Sequence, residues 1–318
     1  MRGHALIAEF ARTPWAMEPT QIAAWAGVLA RWQAQGASLG PGVRQAMEDD
    51  DGYTDRRNAF EVRRAAAQQM STTGSIAVLP LYGALVQRAG MATEYCGGTS
   101  TQQFTQAFRQ AMQDPGVGGV LIDGDGPGGS VYGVGELAAE ILEARSRKPV
   151  FGFVNSLAAS AHYWVMSACT ELWCTPGGEV GSIGVWQAHE YIGKALEEAG
   201  VVVSLISEGR YKTEGNQFEP LGDEARQFMQ SRVGDYYGAF TKGVSKGRGA
   251  ALADVRDKMG QGRVLGADAA LAANMIDGID TFDGVVRRLQ RAMKSTGSPA
   301  VSQAQAAMSA ARMRLAAA

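Results

Sequence analysis

The chain has 318 residues, of which 46% are hydrophobic, and its 30 basic and 32 acidic side chains leave a formal net charge of -2. This length exceeds that of the usual single domain, so we expect one main domain with smaller appendages. The nearly balanced charge gives no electrostatic reason to expect nucleic acid as the main partner. The 3 cysteines form neither a disulfide framework nor a zinc pattern, which predicts a reducing compartment, and no cofactor is expected.

Residues 1–73 are predicted to form an N-terminal helical extension and a linker. Apolar residues recur at steps of three and four between Pro19 and Gly36, as on one face of a helix, whereas residues 36–58 are rich in glycine and acidic residues. The acidic run at 48–51 is read as solvated linker rather than as a metal site. Charged residues interrupt the apolar stretch before Pro19, and no segment approaches about twenty apolar residues. We therefore expect a cytoplasmic protein without a signal peptide or a membrane span.

In residues 74–286, short β-type runs alternate with helical patterns, which predicts an α/β domain with parallel strands. The predicted strands are 75–82, 119–123, 150–154, 172–174, 182–186 and 201–207. Helices are predicted at 101–113 and near 133–146, 157–169 and 188–199, followed by mostly helical sequence from 223. Cys169 and Cys174 lie in an apolar stretch and are expected to be buried. Residues 287–318 are predicted to be a flexible, basic, Ala-rich tail.

A glycine-rich turn follows the predicted strand 119–123 and precedes a helical pattern. Gly124, Gly126 and Gly129 satisfy the spacing G-x-G-x-x-G, so a dinucleotide site is one interpretation. That site also requires an acidic residue near the end of the next strand, yet this strand runs into Asn155. The other interpretation is an oxyanion hole, in which backbone N–H groups stabilise charge developing on a carbonyl oxygen under attack. The second interpretation needs a nucleophile nearby.

Ser160 is the candidate nucleophile, since it lies among small residues where strand 150–154 gives way to a helical pattern. His162 is only two residues away, and side chains at that spacing on a helix do not face each other, so it is not taken as the base. A lysine serves as general base when an apolar pocket favours its neutral amine. Lys212, which follows the predicted strand 201–207, is the candidate for that role.

Four segments in order resemble the motifs of the signal peptide peptidase A family. They are Gly-Pro-Gly-Gly at 126–129, Ala-Ser-Ala at 159–161, Gly-Ser-Ile-Gly-Val at 181–185 and Gly-Arg-Tyr-Lys-Thr at 209–213. The resemblance covers 74–286 and implies a ClpP/crotonase-like stack of ββα units that assembles into homo-oligomeric rings. It implies that Ser160 is the nucleophile and Lys212 the general base. It also implies that Gly129 contributes to the oxyanion hole and that Ser182 orients the lysine amine.

Two features depart from that family, and a third narrows the comparison. His162 stands where many members have a small residue, which predicts a narrower site beside the nucleophile. No membrane anchor is expected, whereas the resemblance to signal peptide peptidases would imply one. Residues 7–19 and the helical pattern after them resemble the beginning of tailed-phage capsid assembly proteases. This implies a serine endopeptidase that cleaves scaffold and capsid proteins, in the host cytoplasm or inside a phage prohead. The alternatives are a cytoplasmic signal-peptide-peptidase-like protease, a crotonase-type enzyme acting on thioesters, and a catalytically silent, ring-forming capsid assembly protein.

Overall fold

The computed structural model describes residues 14–17, 74–89 and 98–295. The strands of these residues are β1 (Trp15–Met17), β2 (Ser75–Tyr82), β3 (Leu85–Val86), β4 (Thr99–Ser100), β5 (Val117–Gly126), β6 (Gly128–Ser130), β7 (Val150–Ala159), β8 (Glu171–Cys174), β9 (Glu179–Gly181), β10 (Val264–Gly266) and β11 (Gly278–Ile279). The helices are α1 (Thr101–Gln113), α2 (Val134–Ala144), α3 (Ala161–Met166), α4 (Gly193–Glu198), α5 (Asp223–Arg248), α6 (Leu252–Asp257), α7 (Ala267–Ala272) and α8 (Phe282–Ser295).

The larger sheet has the strand order β10-β9-β7-β5-β2, and β8 and β11 branch from β7. Its central pairs, β2 with β5 and β5 with β7, are parallel, as are the pairs that β7 makes with β8 and β9. Nine of the ten residues of β5 are buried, because helices cover both faces of a parallel sheet. The predicted α/β class with parallel strands is confirmed.

Two apolar clusters cover the two faces of this sheet. The larger cluster joins the sheet to α1, α2, α3 and α5, and in it the rings of Trp164 and Phe240 stack with centroids 4.8 Å apart. The smaller cluster packs α8 against β2, β5 and β7. Cys169 and Cys174 are buried, as predicted, and burial raises the pKa of each thiol to about 12.

A second, smaller sheet has the strand order β1-β6-β3-β4. Within it β6 pairs antiparallel with β1 and parallel with β3. The short β6 follows β5 directly, so the smaller sheet lies where the central strand of the larger sheet ends. This position places β6, at the end of the glycine-rich turn, between β1 and β3.

The structure corrects several boundaries. The segment 201–207 was predicted as a strand, but it forms no strand, because no described strand pairs with it and every residue in it is exposed. The helix predicted at 157–169 begins only at Ala161, since β7 continues to Ala159, and of the strand predicted at 182–186 only an isolated bridge at Trp186 is present. The first nine residues of the tail predicted at 287–318 belong to α8 instead, whose Leu289 and Met293 are buried.

The predicted helix at 19–36, the linker and residues 296–318 lie outside the described residues. Across the described ranges, every helix is too short or too polar to cross a lipid bilayer.

Candidate active site

Three chain segments meet where β7 ends. Gly126 at the end of β5 pairs with Ala158, and Gly181 at the end of β9 pairs with Ala159. Because the carboxyl ends of parallel strands lie at one edge of a sheet, the glycine-rich turn and the Gly181–Ser182 turn flank the residue that follows β7. That residue is Ser160.

Ser160 occupies an unusual backbone conformation at the junction of β7 and α3. Its φ is 55° and its ψ is -116°, a region that residues with a side chain rarely adopt. Its N–H donates to the carbonyl oxygen of Gly181 at 2.6 Å, and its Oγ lies 3.4 Å from the carbonyl oxygen of Gly184. The residue is 1% exposed. The strand and the helix thus hold a serine hydroxyl in one place at the end of a rigid sheet.

The glycines of the glycine-rich turn are explained by packing within the domain and need no bound phosphate. A side chain on Gly124 would clash with the sulfur of Met166, and one on Gly126 would clash with Nε2 of His162. Both neighbours belong to α3, so the space that these glycines leave is filled from within the domain. The geometry therefore speaks against the dinucleotide interpretation of this motif.

Gly129 lies in the middle of β6, between β1 and β3. A Cβ at this position would clash with the backbone of Leu85, so only glycine allows β3 to approach. The adjacent Gly128 has a φ of 112°, and a Cβ there would clash with the carbonyl oxygen of Ala16. Two glycines in succession thus let a backbone approach β6 closely from each side.

His162 is buried beneath this turn and does not face Ser160. Its Nε2–H donates to the carbonyl oxygen of Gly83 at 2.6 Å, while Nδ1 has no hydrogen-bond partner among the described residues. Burial lowers the pKa of this imidazole to about 4, and the hydrogen bond to Gly83 only partly opposes that shift. The ring packs against the glycine-rich turn as a neutral group.

Ser182 lies on the other side of Ser160, next to Gly181. It is buried, its φ is 52°, and its N–H donates to the carbonyl oxygen of Arg263 at 2.8 Å. The antiparallel pairing of β9 with β10 fixes this turn, because Gly181 pairs with Val264. Ser182 is therefore held near the nucleophile candidate by a backbone hydrogen bond.

Lys212 is exposed in a turn, where its N–H donates to the carbonyl oxygen of Gly209 at 3.0 Å. Within the part of the chain that is described, no hydrogen bond joins Lys212 to Ser160 or to Ser182. The turn is tied to α5 instead, through hydrogen bonds from Arg210 and Tyr211 to Glu224. A single copy of the chain brings Ser160, Ser182 and Gly129 to one edge of the sheet, whereas Lys212 is exposed in a turn that is hydrogen-bonded to α5.

Sequence reasoning missed the strand β1 and its contact with Trp186. The N–H and carbonyl groups of Trp15 and Trp186 exchange hydrogen bonds at 2.9 and 3.0 Å. A three-residue apolar run after Pro14 carries no periodicity, so the sequence offers no signal for this strand.

The chain is similar to a protein-family model and to several known proteins. The model of Peptidase family S49 matches residues 143–296. Head-tail preconnector protein GP5 of Enterobacteria phage P21 is 32% identical over 96% of this chain and 61% of its own length. Capsid assembly protease C of Escherichia phage lambda is 35% identical over 72% of this chain and 52% of its own length. The chain thus spans less than two thirds of both relatives.

Among solved structures, a 1510-N membrane protease specific for a stomatin homolog from Pyrococcus horikoshii is similar, with a TM-score of 0.40 and 15% identity. The match covers 67% of this chain and 77% of that one.

Proposed function

We propose that the chain is a serine endopeptidase with Ser160 as nucleophile and Lys212 as general base, because the model of Peptidase family S49 matches residues 143–296, which contain both. The observation that carries the proposal is the strained backbone of Ser160, held at the junction of β7 and α3. Such strain persists only where the surrounding structure imposes it, and it is concentrated at active sites.

The reaction proceeds through an acyl-enzyme. The neutral amine of Lys212 accepts the hydroxyl proton of Ser160 while Oγ bonds to the carbonyl carbon of the substrate peptide. The resulting ammonium returns this proton to the leaving amine as the C–N bond breaks. Water then attacks the ester with the same lysine as base, which releases the carboxylate product and restores Ser160.

Two backbone amides stabilise the oxyanion in this proposal. The N–H of Ser160 already donates to Gly181, so the donor from the nucleophile region is the next amide, that of Ala161. This amide lies in the first turn of α3, where no helical carbonyl can accept it. The second donor is the N–H of Gly129, and Ser182 orients the lysine amine.

Lys212 reaches Ser160 from a neighbouring subunit. The segment 201–207 that leads to it is exposed throughout, and the side chains of Val202 and Ile206 are 81% and 99% exposed. An exposed apolar run of this kind is typical of a protein interface. Packing of this segment on a second copy would remove the lysine amine from water and thereby favour its neutral form.

The substrates are capsid or scaffold proteins, and the protein acts in the host cytoplasm or inside a prohead as a homo-oligomeric ring. This proposal is supported by the names of the two phage relatives, one a capsid assembly protease and the other a head-tail preconnector protein.

Subunit exchange between two inactive variants tests the proposal. Ser160→Ala and Lys212→Ala are each expected to lower the rate of peptide hydrolysis by at least about a thousandfold. Random mixing in equal amounts should restore about a quarter of the wild-type rate, because one contact in four would pair an intact serine with an intact lysine.

His162→Gln, which changes a buried residue beside the site, serves as a control and should retain activity. Mixed oligomers, verified by native mass spectrometry, that remain inactive would contradict the shared site. Full activity of Lys212→Ala alone would contradict the proposed base.

A further inference from the structure

Strand β1 lies in a slot between two segments that both reach Ser160. On one side it pairs with β6, and on the other Trp15 exchanges backbone hydrogen bonds with Trp186. The indole Nε1–H of Trp186 also donates to the carbonyl oxygen of Met17 at 3.0 Å. Trp15, Ala16 and Met17 are all 5% exposed or less. A backbone strand therefore fills this slot and makes hydrogen bonds to both of its walls.

The register shows which amide of β6 faces β1. The N–H of Val131 donates to the carbonyl oxygen of Pro14 at 3.3 Å. Hydrogen-bonded and non-hydrogen-bonded pairs alternate along an antiparallel ladder, so the pair two residues on, Ala16 with Gly129, is also hydrogen-bonded. The N–H of Gly129 consequently points at Ala16, and the missing side chain of Gly128 leaves room for the carbonyl oxygen of Ala16.

Each wall of the slot is only a few residues along the chain from a residue that lies next to Ser160 or pairs with β7 close to it. Trp186 follows Gly184, whose carbonyl oxygen lies 3.4 Å from Oγ of Ser160. On the β6 side, Gly128 follows Gly126, which pairs with Ala158 two residues before Ser160. Without β1, the edge of β6 would be exposed. An extended peptide could then bind there as an added strand, with backbone hydrogen bonds as the main contacts.

We propose that residues 14–17 are a built-in occupant of the peptide-binding slot and hold the enzyme inhibited until they leave it. A substrate enters as an extended strand in their place, between β6 and Trp186. The proposal rests on the proposed function in equating the slot with the active site. It goes further in naming the binding mode, the segment that blocks it and the amide of Gly129 for which both peptides compete.

Peptide binding to full-length chains that cannot hydrolyse tests this inference. The probe is a fluorescent peptide with the sequence of residues 12–19, Arg-Thr-Pro-Trp-Ala-Met-Glu-Pro. Ala16→Pro removes the N–H that pairs with Gly129, whereas the matched control Ala16→Ser keeps it. In the Ser160→Ala background, Ala16→Pro is expected to bind the probe at least about tenfold more tightly than Ala16→Ser, because its own segment no longer competes. Equal affinities of two folded variants would overturn the inference.

A disulfide that locks β1 in place keeps the test decisive if Ala16→Pro fails to fold. Trp15 and Ser130 form a non-hydrogen-bonded pair, the kind with the closer Cα atoms, so Trp15→Cys with Ser130→Cys can be bridged. The oxidised double variant should not bind the probe, and its reduced form should. The single variant Trp15→Cys controls for loss of the indole. Probe binding to the oxidised form with unchanged affinity would overturn the inference.

These readouts do not depend on peptide hydrolysis. If the probe binds as expected but no variant hydrolyses peptides, the slot and its occupant stand, and the proposed chemistry fails. If peptides are hydrolysed through Ser160 but neither variant changes binding, the proposed function stands, and the occupant fails.

Discussion

At the scale of single residues, the backbone of Ser160 is expected to carry measurable strain. Glycine adopts a φ of 55° with a ψ of -116° more readily than alanine does, so Ser160→Gly should be more stable than Ser160→Ala by about 1 kcal/mol. Denaturant unfolding of both variants measures this difference. At the exposed helical position Ser231 the order should reverse, because glycine destabilises a helix by about 1 kcal/mol relative to alanine. The same order at both positions would contradict strain at Ser160.

His162 is expected to make the stability of the fold depend on pH. Its pKa is about 4 in the folded chain and about 6.5 in an unfolded one, so between these values only the unfolded state is protonated. The free energy of unfolding should therefore fall by about 3 kcal/mol as the pH drops from 6.5 to 4. His162→Gln keeps a donor for Gly83 but does not titrate, so its stability should lack this component. If the free energies of unfolding of wild type and His162→Gln fell equally between pH 6.5 and 4, the prediction would be contradicted.

At the scale of elements, the predictions were most accurate for strands and helices whose hydrophobic spacing favours a single type of secondary structure. The bounds of β2 and α1 match the predicted 75–82 and 101–113, because alternation and helical spacing there agree with burial in the domain. The prediction of a strand at 201–207 was wrong, because the valines of this segment favour a strand but no described strand pairs with them. Strand β1 was missed because its stability comes from β6 and Trp186, which are distant in sequence.

The exposed apolar segment is expected to hold copies of the chain together. Burial of Ile206, which is 99% exposed, would contribute roughly 2 kcal/mol at a subunit contact. Ile206→Asp should therefore dissociate the oligomer and abolish hydrolysis, while the circular dichroism spectrum stays unchanged. Leu271→Asp, which changes an exposed leucine on α7, is the matched control and should keep both properties. Sedimentation velocity and hydrolysis rates that do not change in Ile206→Asp would contradict this assignment.

At the scale of the whole molecule, the candidate site was predictable in part. Motif order pointed to Ser160, Gly129 and Ser182, and the sheet brings these three residues to one edge because parallel strands end there. Lys212 was predicted to follow a strand at 201–207, but that strand does not form, and contacts with α5, which no local pattern shows, hold its exposed turn. We propose that the complete site belongs to the assembled protein, in which one chain supplies the nucleophile and a strand that fills the peptide-binding slot beside it, and a neighbouring copy supplies Lys212.

Labelling with a fluorophosphonate tests the central claim most directly, because this reagent reacts fastest with a serine hydroxyl whose proton is removed by a nearby base. Peptide mapping by mass spectrometry identifies the labelled residue. We predict a single adduct on Ser160 of the assembled wild-type protein and none on Lys212→Ala under the same conditions. An adduct on a different residue, or labelling of Lys212→Ala at the wild-type rate, would contradict the Ser160–Lys212 mechanism.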